Sequence, residues 1–490
     1  MDSTENAIAG YIRQIGKIQT IAQTHIRCGG VTKVLSACAS CYVRVSETLT
    51  GEVRLAGRET VDIVASSGDG LSRESGWTEF TDRAELDGIT PSSSVTAVGR
   101  VLDTDVVSVE NDSVTLASVI EITLYAEERS VIPEPLPQSD GVFTGDSRMT
   151  FSRLVAKVTG KAEVRSENKV ELARYVCADA RTCISGAEAG LDSVTVSGDV
   201  CIDGMGLTAD GASQPFALVL PFSEELAAEG ARRGDLVQMR AVCATVAAEE
   251  SEEGITFIVT VDLSGAVYSE LAASCAVDAF SPDCELTLTR IPVRGVAVTG
   301  EHCVSGQAEG AVTLPEGENA DRVLALCCFA AQPLSAYCEY GRAVIEGAVT
   351  GTIIYADAEA GRKSSCAAEI PFKVVTDVEA DDDTLFDVTG AVGKISVRPS
   401  RLGELNVRCE LHFCLQTAKE VKAEAVTSAV CGEPYPDRKG MISVYVASGG
   451  ETLWDSAREL RVTPETVLMQ NDELDFPLSR GDKVFVFRTK

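Results

Sequence analysis

Period-two alternation of apolar residues, turn residues at short intervals and almost no helical periodicity before Thr452 predict a mainly β chain. The expected architecture is three tandem β-rich modules, sandwich- or barrel-like, followed by a small βααβ domain. At 490 residues one core is not enough, and 45% hydrophobic with 24% charged residues is the balance of soluble globular domains.

The modules show themselves as an internal repeat. Each contains a Val-rich strand with a glycine, a turn, a second strand ending in an aromatic, an acidic loop and two long strands. The glycines are Gly57, Gly198 and Gly347, and the aromatics are Phe80, Phe222 and Phe372, so the separations are 23, 24 and 25 residues. Units recur after about 140 to 150 residues. Each closes in an alternating strand: Ile120, Ile122 and Leu124; Phe257, Val259, Val261 and Leu263; Val407, Cys409, Leu411 and Phe413. Such alternation marks a sheet with one buried face. The expected boundaries are 1–130, 140–272 and 280–420, with a linker at 421–440 and the last domain at 441–490. Proline-containing joints are expected near Pro133 to Pro137, Phe280 to Pro282 and Pro434 to Pro436.

The final domain reads in β-α-α-β order. A strand from Ile442 to Ala447 meets a turn at Gly449 and Gly450. Thr452, with Asp455 three residues on, has the spacing of a capping box. Leu453, Ala457 and Leu460 make one apolar helical face. Thr463 then Pro464 reads as an N-cap followed by proline at the first helical position. The second helix is expected to turn Val467 and Leu468 inward and can end at Asn471, a residue that tolerates a left-handed C-terminal conformation. Lys483 to Phe487 is the closing strand.

Tyr445, Gly450-Glu451-Thr452-Leu453-Trp454, Ala457, Asn471, Gly481 and Val484-Phe485-Val486 together resemble the LysM family. Glu451 replaces the family's usual Asp, Ala447 a larger apolar residue and Gly449 a frequent Pro. LysM modules bind N-acetylglucosamine polymers such as peptidoglycan between the first loop and the loop after helix two. That resemblance makes Gly450, Glu451, Thr452, Leu453, Trp454, Asn471, Asp472 and Glu473 the expected groove or partner contact. Two readings stand for Trp454: the anchor for a partner, or packing between its helix and the Phe485 strand. Asn471 likewise either binds or holds the fold.

The repeat is similar to the SPOCS domain of spore-coat and spore-envelope proteins. The closest stretches are Val194 to Ser269 and Ile345 to Thr417, including IEGAVTGTIIYADAEAG and EIPF. VDAFSPDCELTL (Val277 to Leu288) is similar to the family's inter-unit linker. The first unit is more divergent, lacking the Pro before Phe80. Tandem SPOCS units with a C-terminal LysM resemble the SpoIVA-interacting coat morphogenetic factors. The resemblance implies a mother-cell cytoplasmic protein at the forespore surface that docks on the SpoIVA-like basement-layer ATPase of the coat. The alternative is an envelope protein binding peptidoglycan.

Charge and motifs narrow the rest. A net charge of −31 disfavours nucleic acid, whose phosphates demand a basic footprint, and equally anionic membranes. The acidic runs Glu249 to Glu253 and Asp381 to Asp383 read as solvated loops. No apolar run reaches the roughly 18 residues of a membrane span. MDSTENAIAGYIRQIGKIQT has no basic start before an apolar segment, so no signal peptide is expected. The 17 cysteines are scattered, and Cys38 and Cys41 are expected to be buried structural thiols in a reducing setting. His25, His302 and His412 are far apart, and Gly390-Ala-Val-Gly393-Lys394 lacks the first glycine of a phosphate loop. No catalytic residue, metal ligand or cofactor is expected.

Overall fold

The glycine–aromatic spacing that repeats along the chain is a cross-strand pair. In a computed structural model, which describes residues 7–487 apart from 68–69, 111, 135, 137–140, 168–169, 253, 358–361, 401–402 and 437–441, each unit has six long strands. The first unit is β1 (Ala7–Arg27), β2 (Val31–Leu49), β3 (Glu52–Ser67), β4 (Gly70–Glu85), β5 (Val95–Val109) and β6 (Ser113–Ile132). The second is β7 (Phe143–Arg165), β8 (Arg174–Ala189), β9 (Ser193–Leu207), β10 (Ser213–Ala227), β11 (Leu236–Ser251) and β12 (Gly254–Phe280). The third is β13 (Cys284–Thr313), β14 (Ala320–Glu339), β15 (Arg342–Asp357), β16 (Lys363–Glu379), β17 (Thr384–Pro399) and β18 (Glu404–Pro434). Gly57 faces Phe80, Gly198 faces Phe222 and Gly347 faces Phe372 in the antiparallel ladders. A Cβ on Gly57 would lie 2.3 Å from the Phe80 ring, so the aromatic covers a position only glycine can fill.

Every unit is built from two three-stranded antiparallel sheets. One has strands in the order first, sixth, fifth, and the other second, third, fourth. The alternating runs seen in the sequence are the central strands β6, β12 and β18, buried on one face over each core. Second strands lie against fifth strands, and first against fourth, so each pair of sheets closes into a flattened barrel. The protein is mainly β, and the sandwich- or barrel-like expectation holds at this level.

The units do not hang on linkers. Three residues separate β12 from β13, and β18 runs to Pro434. Residues 421–434, expected as linker, are the second half of β18, paired with β13 from Cys284↔Pro434 to Gly295↔Val421. Lys422, Glu424, Thr427 and Ser428 among small residues read as solvated chain; pairing with a strand over a hundred residues away makes it sheet. Likewise the second unit extends through Phe280 and the first through Ile132. Pro135, Pro137 and residues 437–440 of the expected joints lie outside the described residues, as do Glu253, residues 358–361, Met441 and residues 488–490.

The three units pack on one another through equivalent strands. Ala9 and Ile132, Phe151 and Cys275, Val293 and Ala425 form one buried cluster, a pair from each unit. A second cluster joins Leu35, Cys177 and Leu324 from the three second strands. Arg240 ties all three: its guanidinium lies 2.6 Å from Asp387 and 4.3 Å from the centre of the Tyr125 ring. Cys38 is not a thiol beside Cys41. It is disulfide-bonded to Cys328 across 290 residues, which clips the first unit to the third, and Cys284 is bonded to Cys431. Spacing along the chain could not show a partner that distant. Cys41 stays a free, half-buried thiol and Cys409 is fully buried as expected.

Glu301 at this junction makes stability depend on pH. Burial pushes its carboxyl up to about 8, against the amide of Gln416 that donates to it. The folded state therefore holds a proton that the unfolded chain releases near pH 4.5. Stability from this group is full below that pH and falls as pH rises toward 8. Glu301→Gln is expected to flatten the fall and raise the melting temperature at pH 8 by a few degrees, roughly 1–2 kcal/mol. Melting curves of both proteins from pH 5 to about 8.5 check this; parallel curves would refute it.

Candidate functional site

The terminal domain follows its expected order: β19 (Ile442–Val446), α1 (Leu453–Leu460), α2 (Pro464–Gln470) and β20 (Lys483–Phe487). The Thr452 hydroxyl accepts from the Asp455 N–H at 3.2 Å, and the Asp455 carboxylate accepts from the Thr452 N–H at 2.9 Å. That reciprocal pair starts α1. Thr463 caps α2 through the Thr466 N–H at 3.1 Å, with Pro464 at the first helical position. Gly449 and Gly450 have φ of 109° and 95°, backbone that side chains rarely adopt. Ala457, Leu460, Val467, Val484 and Val486 are buried as one core.

Helix α2 ends at Asn471 as expected, but without left-handed backbone: its φ is −142° and its ψ 58°. The left-handed cap belongs to Arg461, φ 54°, at the end of α1. Leu468 does not turn inward but is 46% exposed, because the short helix α2 presents only Val467 to the core.

Most of the expected groove side chains are engaged within the molecule. The Asn471 amide donates to the carbonyls of Val467 (2.9 Å) and Phe485 (2.8 Å), and its oxygen accepts from the Phe485 N–H (2.7 Å). It is a buried clamp between α2 and β20. Glu451 accepts the N–H groups of Ser448 and Gly449, each at 2.8 Å, and the Tyr445 hydroxyl at 3.1 Å. Those backbone donors hold its carboxyl below the usual range. Thr452 serves the helix cap and Leu453 is half-buried. Gly450 N–H donates to Leu478 O at 2.7 Å and Leu478 N–H to Glu451 O at 2.8 Å, lacing the two loops together. Asp472 and Glu473 are exposed, as are Gly450 and Thr452.

Trp454 meets neither reading given to it. It docks the domain on the second unit, edge-on to Phe280 with ring centres 4.8 Å apart, its Nε1–H donating to Asp278 at 3.2 Å. Arg458 reaches the same carboxylate at 2.7 Å, and Arg461 lies 3.6 Å over the Tyr435 ring at the end of β18.

No family model, no curated protein and no solved structure matches this chain. Among the described residues, no group of three His, Cys, Asp or Glu is placed to hold a metal ion, and no helix is long and apolar enough to cross a membrane. Residues 390–394 lie in strand β17, so they form no phosphate-cradling turn before a helix.

Sequence reasoning missed the outward face of the β19–β20 ribbon. Ile442, Val444, Val446, Phe485 and Phe487 are 39–56% exposed, and Ile442↔Phe487 and Val444↔Phe485 are cross-strand partners. Their alternation with Tyr445, Val484 and Val486 was the available signal, for a ribbon with both faces apolar needs a second neighbour.

Proposed function

We propose that the chain is a non-enzymatic scaffold of endospore coat assembly, with SPOCS-type units as its body and a LysM-type domain as its docking head. In this reading it works in the mother-cell cytoplasm, at the forespore surface, and binds the SpoIVA-like basement-layer ATPase. The observation that carries it is the apolar ribbon face, held outward on a domain whose Trp454 is anchored to the body. A contiguous exposed apolar patch suits a protein surface better than a sugar. The engagement of Glu451, Thr452 and Asn471 in the fold further favours a protein partner over N-acetylglucosamine polymer. Packing the units into one body fixes where any second contact falls, which raises effective concentration for a polymeric layer.

Val444→Asp and Phe485→Ser in the full chain are expected to weaken binding to the purified ATPase by about tenfold or more. Both side chains are exposed, so melting temperatures should change little. Wild-type affinity in both variants would sink this reading. Saturable binding to purified peptidoglycan, with none to the ATPase, would transfer the domain to wall binding.

A further inference from the structure

Three pairs of free cysteines bring their sulfurs within hydrogen-bonding reach of each other: Cys183 with Cys201, Cys177 with Cys327, and Cys303 with Cys414. Both members of the first two pairs are buried, as inert structural thiols are. The third pair differs. Cys303 is exposed and Cys414 half-buried, and they face each other directly across the β13–β18 ladder. Opposed residues of an antiparallel pair hold their Cα atoms about 4.5–5.5 Å apart, inside the roughly 4.4–6.8 Å that a disulfide spans. A bond between these two sulfurs therefore requires no change of strand register.

The surroundings favour thiol chemistry. Glu301 and Gln416 are the facing pair two residues to one side, Ser305 and His412 the pair two residues to the other, and Thr389 of β17 lies opposite Cys414. Among the described residues no third His, Cys, Asp or Glu completes a metal site there. The Cys414 S–H donates to the Cys303 sulfur, which draws the Cys303 thiol down to about 7 and pushes Cys414 up. One thiol is thus an exposed nucleophile at neutral pH and the other stands beside it to resolve what it forms. Burial pushes the half-buried Cys41 and Cys243 up to about 12 instead.

We propose that Cys303 and Cys414 form a redox-active dithiol that exchanges with small soluble disulfides. The Cys303 thiolate attacks one sulfur of the disulfide, whose S–S bond breaks as one thiolate leaves. Cys414 then loses its proton, attacks the Cys303 sulfur and expels the second thiolate. A Cys303–Cys414 bond has formed. The two electrons taken from the pair have reduced the disulfide to two thiols, which carry the pair's two protons. The product ties β13 to β18 a second time, in the half of the ladder away from Cys284–Cys431.

The test treats the full chain, folded and at neutral pH, with the disulfide of mercaptoethanol, then maps unreduced peptides by mass spectrometry. The wild-type chain is expected to yield Cys303 linked to Cys414, about tenfold or more faster than adducts form at Cys41 or Cys243. Cys414→Ser should instead trap mercaptoethanol on Cys303 as a stable mixed disulfide, and Cys303→Ser should leave Cys414 unreacted. The wild-type map needs no substitution, so it decides the matter even where a variant fails to fold. Absence of the Cys303–Cys414 link in the folded chain would overturn the proposal. So would a mixed disulfide that persists on Cys303 in the wild type, or equal rates at Cys303, Cys41 and Cys243.

Discussion

Replacing Arg181 by methionine is expected to lower the stability of the three-unit body by about 3–5 kcal/mol, read as a fall in the first denaturation midpoint. The side chain is 6% exposed. It pairs with Asp179 at 2.9 Å and with Asp203, and it crosses into the third unit to donate to the carbonyls of Val392 (3.1 Å) and Gly393 (3.3 Å). Asp179 in turn accepts from the Phe329 N–H of the third unit at 3.3 Å. Methionine fills the volume but leaves two buried carboxylates facing each other and takes the guanidinium donor from two carbonyls. Burial already pushes the Asp179 carboxyl up, and Arg181 is what opposes it. Without the guanidinium the carboxyl rises further. The variant therefore binds an extra proton when folded, and its stability deficit should shrink as pH falls toward 5. Adding Asp203→Leu and Asp179→Asn should restore much of the loss, because replacing a whole buried ion network is far milder than breaking it. If the triple variant is as unstable as the single one, the carbonyl contacts to the third unit hold the junction instead.

How much of this was legible in the chain follows from sequence distance. The Gly57–Phe80, Gly198–Phe222 and Gly347–Phe372 pairs were visible as a repeat because a hairpin turns that spacing into contact. The central strands were visible because one face of each is apolar at every second residue. In the terminal domain, Thr452–Asp455 and Thr463–Pro464 announced both helix starts through purely local chemistry. What was not legible joins residues far apart. Nothing near Cys38 indicates Cys328, and nothing near Arg240 indicates Asp387 or Tyr125. Residues 421–434 look like a polar linker because only Ala425 and Val426 are buried there, yet β13 makes them strand. Asn471 shows a subtler failure. Its position was read from a tolerance for left-handed backbone, whereas its amide is held by three hydrogen bonds to Val467 and Phe485.

Trp454→Ala should release the terminal domain from the body without unfolding it. The indole packs against Phe280, donates to Asp278, and lies over Gly145, where a Cβ would be 3.1 Å from its ring. Truncating a tryptophan so placed costs about 3 kcal/mol, or roughly a hundredfold in the docking equilibrium. The buried cluster of Ala457, Val467, Val484 and Val486 runs on into Phe280, but the Asn471 hydrogen bonds to Val467 and Phe485 lie wholly within the domain and should stay protected while docking is lost. Gly145→Leu provides an independent block from the opposite side, filling the space above the glycine and leaving the terminal domain untouched. In a Trp77→Phe background Trp454 is the sole tryptophan, and its emission should shift to the red when Gly145→Leu is introduced. An unchanged emission would mean that the indole is held by its own domain. If undocking occurs, binding of a soluble partner through the β19–β20 face should survive, whereas binding to an assembled layer should fall. Only the layer requires that face to keep a fixed orientation to the three units, and Trp454, with Arg458 and Arg461 beside it, fixes that orientation.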